Sequence, residues 1–163
     1  MSVQIKKKPW NRVDLPVYSI SSKGAEFDNM NIITYATAVS MKPKRFICAV
    51  YKNTKTLENV RLNGQFVLQI LSDSQYALVR LLGKQSGNKI NKIEKLSKRN
   101  LLSEWKGFNV LNEALAVMEM KVIHETDGGD HVCFLCDVVA YKNLNEGNEL
   151  TLNVLREKKI ISI

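Results

Sequence analysis

The 163-residue sequence has few of the residues that make irregular or cross-linked proteins: three prolines, eight glycines, three cysteines and two histidines. So little proline and glycine excludes a low-complexity or collagen-like chain. Three cysteines cannot make a fully paired disulfide framework. Cys48, Cys133 and Cys136 each lie in an apolar run, and they read as buried free thiols in a reducing compartment. His124 and His131 have no third or fourth ligand near them in the sequence, which is too few for a zinc site. No apolar run approaches the ~18 residues of a membrane span. The lysines of MSVQIKKKPW are followed by no apolar segment of the kind a secretory leader needs. The expectation is a cytoplasmic protein with no membrane partner. No GxSxG, GxGxxG or Walker-type loop occurs, so hydrolase and dinucleotide-fold signatures are missing.

What is present fits a single domain over residues 1–163, long enough for a core and too short for two ordinary domains. The hydrophobic share is 45% and the net charge is +8. Such a charge suits nucleic acid, an anionic surface or a phosphorylated small molecule. The excess is mostly lysine, 18 against six arginines, and the densest basic stretch, Lys84 to Arg99, holds no aromatic. Nucleic-acid readers lean on arginine and on stacked aromatics. No nucleic acid is therefore expected as partner, although a basic-surface nucleic-acid module remains an alternative.

The chain reads as strands with short helices between them. Strands are expected over Val17 to Ser21, Asn31 to Val39 and Arg45 to Tyr51. A helix starts near Thr54 and ends at Gly64. Gln65 to Leu71 (QFVLQIL) is apolar on both faces. Ser72 to Gln75 is a capping box that opens a helix through Leu82. Gly83 to Asn88 is a loop, and Lys89 to Lys98 a weaker helix. Met118 to Val122 and His131 to Tyr141 are paired strands across an Asp-Gly-Gly-Asp turn. With Asp127-Gly128 as a two-residue turn, His124 would stand opposite His131. Strands that pair in sequence, with few helices, suggest an antiparallel barrel. The expected class is mainly β with short helices, a β-barrel plus α.

Five segments carry candidate chemistry. Lys52-Asn53-Thr54-Lys55-Thr56 leaves a strand and enters a helix, where free N–H groups, hydroxyls and ammonium groups suit a phosphate. An ordinary capped helix fits the same residues. Asn31 to Thr37 (NIITYAT) breaks an apolar strand with small and hydroxylated residues, as a flat ring lying on a backbone requires; a barrel strand with one polar face reads the same way. Ser86-Gly87-Asn88 is a plain turn or a backbone clamp on an anion or a ring edge. Gly129-Asp130-His131 puts a histidine at a hairpin exit, within reach of a ligand or merely bonded to the turn. Cys133 and Cys136 stand three apart, and on a strand such residues point to opposite faces. They therefore cannot converge on zinc or form a disulfide.

Taken in order, NIITYATAVS, RFICAVYKNTKTLENVRLNGQFVLQIL, GKQSGNKINK and GGDHVCFLCDVV resemble the flavin-reductase-like, FMN-binding split-barrel family, flavin reductases and flavoredoxins included. The similarity runs over roughly residues 15–141. Gln69 stands where that family commonly has asparagine, and Cys136 where it commonly has glycine. The resemblance implies an FMN-binding split β-barrel acting as a homodimer. It implies that Thr34, Tyr35, Ala36 and Thr37 contact the flavin, and that Ala49 and Val50 offer backbone to the ring's edge. Lys52, Thr54, Thr56 and Asn59 would hold the phosphate. Ser86 and Gly87 would close over the flavin, from this chain or its partner, and His131 would orient the nicotinamide. The implied activity is transfer of hydride from NADH or NADPH to FMN and on to an acceptor that the sequence does not name. A non-enzymatic FMN carrier on the same fold is the alternative.

Overall fold

β-Branched and aromatic runs settle into strands here because almost every one of them has an apolar side to bury. The computed structural model describes residues 6–162; part of the N-terminal segment discussed above lies outside them. Nine strands form among the described residues: β1 Tyr18–Ser22, β2 Asn29–Ile33, β3 Ala36–Ser40, β4 Arg45–Tyr51, β5 Gln65–Ile70, β6 Leu102–Trp105, β7 Phe108–Leu111, β8 Ala116–Asp127 and β9 His131–Asn143. The helices are α1 Lys55–Asn63, α2 Val79–Leu82, α3 Lys92–Ser97 and α4 Leu152–Glu157.

Seven strands make one sheet in the order β2-β1-β5-β8-β9-β4-β3, and the pairings are antiparallel. The two edge strands, β2 and β3, are joined by Thr34 and Tyr35 alone. Two residues reach no more than about 10 Å from strand end to strand end. The sheet must therefore curl until its edges nearly meet, without a ladder of bonds across the gap. That is a split barrel, and the split is where the cleft opens. The single strand expected over Asn31 to Val39 is thus two strands. Its small, hydroxylated middle is where the chain leaves one edge and joins the other.

The inside of the curl is filled by Ile20, Phe66, Leu68, Met120, Phe134 and Cys136, all at most 1% exposed. A second core lies between the sheet and the helices, built on Met30, Leu71, Leu82, Leu96 and Leu155. On β5, Phe66 and Leu68 face the inside of the curl, while Val67 packs on the other face in a third cluster with Phe108, Val110 and Val117, which is why Phe66, Val67, Leu68 and Gln69 are all fully buried. Gln69 satisfies its amide there. Its Oε1 accepts from Leu111 N at 2.7 Å, and its Nε2 donates to Ser19 Oγ at 3.4 Å.

Several boundaries differ from the sequence reading. The capping box forms at Ser72 and Gln75, but the chain runs as a 3-10 helix over Asp73–Leu78 before α2. The Lys89 to Lys98 helix shortens to α3, capped by Asn91. The β6–β7 hairpin and α4 were not foreseen. The hairpin turns at Lys106-Gly107, both with positive φ, 50° and 78°. The β8–β9 turn uses Gly128, Gly129 and Asp130, three residues rather than two. In that register His124 lies opposite Leu135, while His131 pairs with Tyr51 of β4. The two histidines do not meet. Cys136 is buried in the barrel and Cys133 is half-buried on the other face, as strand alternation requires.

Candidate functional site

One cleft runs along the split of the barrel. At the α1 end its cavity measures about 400 Å³ and is lined by Asn29, Asn31, Tyr51 to Thr56, Gly83 to Gly87 and Lys92. Asn31, Ile32 and Tyr51 also line the next part, about 290 Å³, together with Thr34, Tyr35, Ala49 and His131. The far end, about 430 Å³, adds Ala36, Thr37, Ile47 and Cys133. Segments far apart in sequence thus meet on one continuous furrow.

The α1 end is built for an anion. Thr54 is the N-cap: its Oγ1 accepts from Leu57 N at 3.2 Å and donates to Tyr51 O at 2.8 Å. The N–H groups of Lys55 and Thr56 have no acceptor among the described residues. Such free amides, with the helix dipole behind them, attract negative charge. Thr56 is fully buried, and its hydroxyl accepts from Asn29 Nδ2 at 3.0 Å. Asn59 is also fully buried, but it donates to Ser22 Oγ at 3.2 Å and is not among the cleft-lining residues. It fastens α1 to β1 rather than facing a ligand. Lys52 is paired with Asp127 at 2.5 Å and Lys55 with Glu58 at 2.9 Å. Two of the expected cations are therefore already partly neutralised.

Read from the sequence, Lys92 is one of three lysines of a positive surface near the Ser86-Gly87 loop, with Lys84 and Lys89, able to draw in an anionic dinucleotide; the structure buries it instead. It is 2% exposed, lines the same cavity, and donates to Leu82 O at 2.6 Å. No carboxylate pairs with it among the described residues. Burial pushes its pKa down to about 8. A buried ammonium without a counter-ion is costly, and an anion in the cleft would relieve that. Nothing in the charge pattern separates Lys92 from Lys84, Lys89 or Lys95. The only local hint is Asn91, whose cap begins α3 at Lys92 and turns that side chain inward.

The other end is flat-walled and aromatic. Tyr35 and Tyr51 flank His131, each with ring centroid 5.2 Å from the imidazole. Asp130 Oδ1 lies 2.6 Å from His131 Nδ1 and fixes the ring. Tyr35 is 58% and Tyr51 54% exposed, so both present faces to solvent. Ala49 is a wall residue here, but its N–H is already used, donating to Tyr35 O at 2.8 Å. In an antiparallel strand neighbouring residues aim their backbone groups to opposite sides. Val50 therefore turns its N–H and C=O toward β9, opposite Val132, and its buried side chain belongs to the barrel core. The ring-edge role expected of the Val50 backbone is not available to it.

The Ser86-Gly87 loop reaches the α1 end from within the same chain. Asn88 Nδ2 donates to Asn53 O at 3.3 Å across it. The site residues expected from the sequence are thus brought to one cleft, except Val50 and Asn59.

The same fold occurs in known proteins. The fold matches an FMN-binding protein of Thermus thermophilus with a TM-score of 0.74, over 93% of this chain and 95% of that one, at 18% identity. It matches the styrene monooxygenase flavin reductase of Pseudomonas putida S12 with a TM-score of 0.73, over 88% and 89%, at 17% identity. In sequence, an uncharacterised protein of Archaeoglobus fulgidus is 28% identical over 125 residues, 77% of this chain and 70% of that protein. A Nostoc sp. protein assigned as diflavin flavoprotein A 3 is 26% identical over 125 residues, 76% of this chain. The match spans only 21% of the Nostoc protein's length. The flavin reductase like domain family matches residues 10–159, and the chain belongs to that family.

Proposed function

We propose that this chain binds FMN along the split of the barrel and acts as an NAD(P)H-dependent flavin reductase. The observation that carries the reading is the polarity of the cleft. One end holds an uncompensated buried ammonium and two free helix N–H groups; the other is a wall of small residues flanked by aromatic rings. A phosphorylated flat ring matches both ends. Lys92, the α1 N-terminus and Thr56 would hold the phosphate. Thr34 to Thr37 and Ala49 would lie along the ring. When bound, the flavin would supply two-electron redox chemistry between a reduced nicotinamide and an electron acceptor. The chain needs no acid or nucleophile of its own for that, and its part is to position, desolvate and select.

The α1 end also gives a test that leaves the ring alone. Replacing both Thr54 and Thr56 by alanine is expected to weaken FMN by ~1–3 kcal/mol, as for one or two bonds to a charged group. Riboflavin binding should hardly change. Because Thr54 caps α1, the same variant should lose about 1 kcal/mol of folding stability, read from urea unfolding of the flavin-free protein. Equal losses for both flavins would place the phosphate elsewhere.

A homodimer is part of the same proposal. Strands β4 and β9 set Ile47 opposite Leu135, and Ile123, Val139 and Tyr141 are exposed at 40%, 49% and 75%. So many exposed apolar side chains around one part of the sheet favour cover by a second copy. Light scattering of the FMN-loaded protein at micromolar concentration should give twice the 18.5 kDa chain mass; a monomer would refute this part.

A further inference from the structure

The phosphate end of the cleft is closed by contacts that holding a phosphate does not itself require. The loop after α2 is braced from within: Asn88 N donates to Ser86 Oγ at 3.2 Å, and Lys89 N and Ile90 N both donate to Ser86 O at 3.1 Å. Gly87 is buried between exposed Ser86 and Asn88. It lies so close to Asn29 that a Cβ there would sit 2.4 Å from Asn29 Oδ1. Asn29 is 2% exposed, and that oxygen has no hydrogen-bond partner among the described residues. Beyond Gly87, Asn88 reaches Asn53 O at 3.3 Å. Asn53 is held with φ of 60° just before the Thr54 cap. The loop is therefore held twice, against β2 by the close approach of Gly87 to Asn29 and to the residue before the Thr54 cap by Asn88 on Asn53. Asn29, Asn53 and Gly87 line the cavity, and Asn88 acts on it only through Asn53.

We infer that this double closure confines the site to a terminal phosphate, so that flavin mononucleotide is taken in preference to a flavin dinucleotide, with Asn88 as a specificity-determining residue. The inference rests on the FMN reading above. A phosphate monoester ends inside the cavity and carries close to two negative charges at neutral pH. Lys92 and the free N–H groups of α1 can serve those oxygens. A diester must continue past its first phosphate to a second phosphate and a nucleoside, and that extension has to part the seam between Asn53 and Asn88. The bond at the seam is exposed, so removing it opens the seam without disturbing the core.

The test is titration of the purified chain and of Asn88→Ala with FMN, riboflavin and FAD, followed by quenching of flavin fluorescence. The unaltered chain should bind FMN at least about tenfold more tightly than FAD. Asn88→Ala should narrow that gap about fivefold, what one neutral hydrogen bond is worth, mainly by tightening FAD, with riboflavin unchanged. Equal affinity of the unaltered chain for FMN and FAD overturns the inference and leaves the FMN site standing. So does an unchanged FMN-to-FAD ratio in Asn88→Ala. Absence of binding to all three flavins overturns the FMN reading, and the inference with it.

Discussion

Replacing Lys92 by methionine is expected to weaken FMN binding about a hundredfold and to leave riboflavin binding nearly unchanged. The expectation follows from burial. Lys92 is 2% exposed and lies on the wall of the α1 cavity, where a bond to a charged phosphate sits at the upper end of the ~1.5–3 kcal/mol range. Methionine keeps the length of the lysine stem, so the packing between α3 and the sheet is preserved. Leu82 O loses its donor, a modest cost that falls on stability rather than on ligand choice. Isothermal titration with both flavins separates the effects. A parallel loss for FMN and riboflavin would mean that Lys92 supports the cleft and does not touch the ligand.

The same residue sets the pH dependence. Desolvation lowers the Lys92 pKa from 10.5 to about 8 in the flavin-free protein. Between those values the unfolded chain carries a proton that the folded chain lacks, so this group's contribution to stability rises with pH across that window. Phosphate binding acts in the opposite sense, because the anion favours the ammonium form. Above pH 8 binding must take up a proton, and FMN affinity should fall by up to about tenfold per pH unit. The Lys92→Met variant should show no such slope.

The second large effect concerns turnover. With FMN bound, the protein is expected to oxidise NADH or NADPH in air faster than free FMN does. Holding the nicotinamide against the flavin makes the transfer effectively unimolecular. Lys84 and Lys89 flank the Ser86-Gly87 loop, so an anionic dinucleotide should be drawn in and the rate should fall as salt rises. His131→Ala should raise the nicotinamide KM about tenfold and leave FMN affinity nearly intact. The reason is its place at the aromatic end, between Tyr35 and Tyr51 and away from the α1 cavity. Lower thermal stability with unchanged KM would assign His131 to the hairpin instead. If anaerobic NADH and NADPH leave the flavin oxidised while dithionite reduces it, the chain is a carrier and not a reductase.

The sequence disclosed the parts of this site whose signals are local. Strand β4 begins and ends where its β-branched run does, and Thr54 and Gly64 cap α1 at both ends. The continuous apolarity of QFVLQIL announced burial on two faces, and Phe66 and Leu68 pack into the barrel interior while Val67 packs against Phe108, Val110 and Val117 on the other side. What stayed hidden depends on pairing. The break at Thr34-Tyr35 exists because two sheet edges must be joined, which no property of those residues reveals. Val50 is withdrawn from the cleft by the phase of the β4 ladder, and Asn59 by a bond to Ser22. The register of His131 turned on one residue of hairpin length. Lys92 looked like its neighbours because burial of a single lysine is decided by how α3 packs, not by composition.

The central claim is that the cleft is an FMN site whose phosphate end is the α1 start with Lys92. The most direct test is titration of the unaltered chain with FMN and with riboflavin at pH 7 and at pH 9.5. At pH 7 FMN should bind at least about a hundredfold more tightly than riboflavin, and at pH 9.5 that advantage should shrink about tenfold or more. Equal affinity for the two flavins at pH 7, or an FMN advantage indifferent to pH, would contradict it.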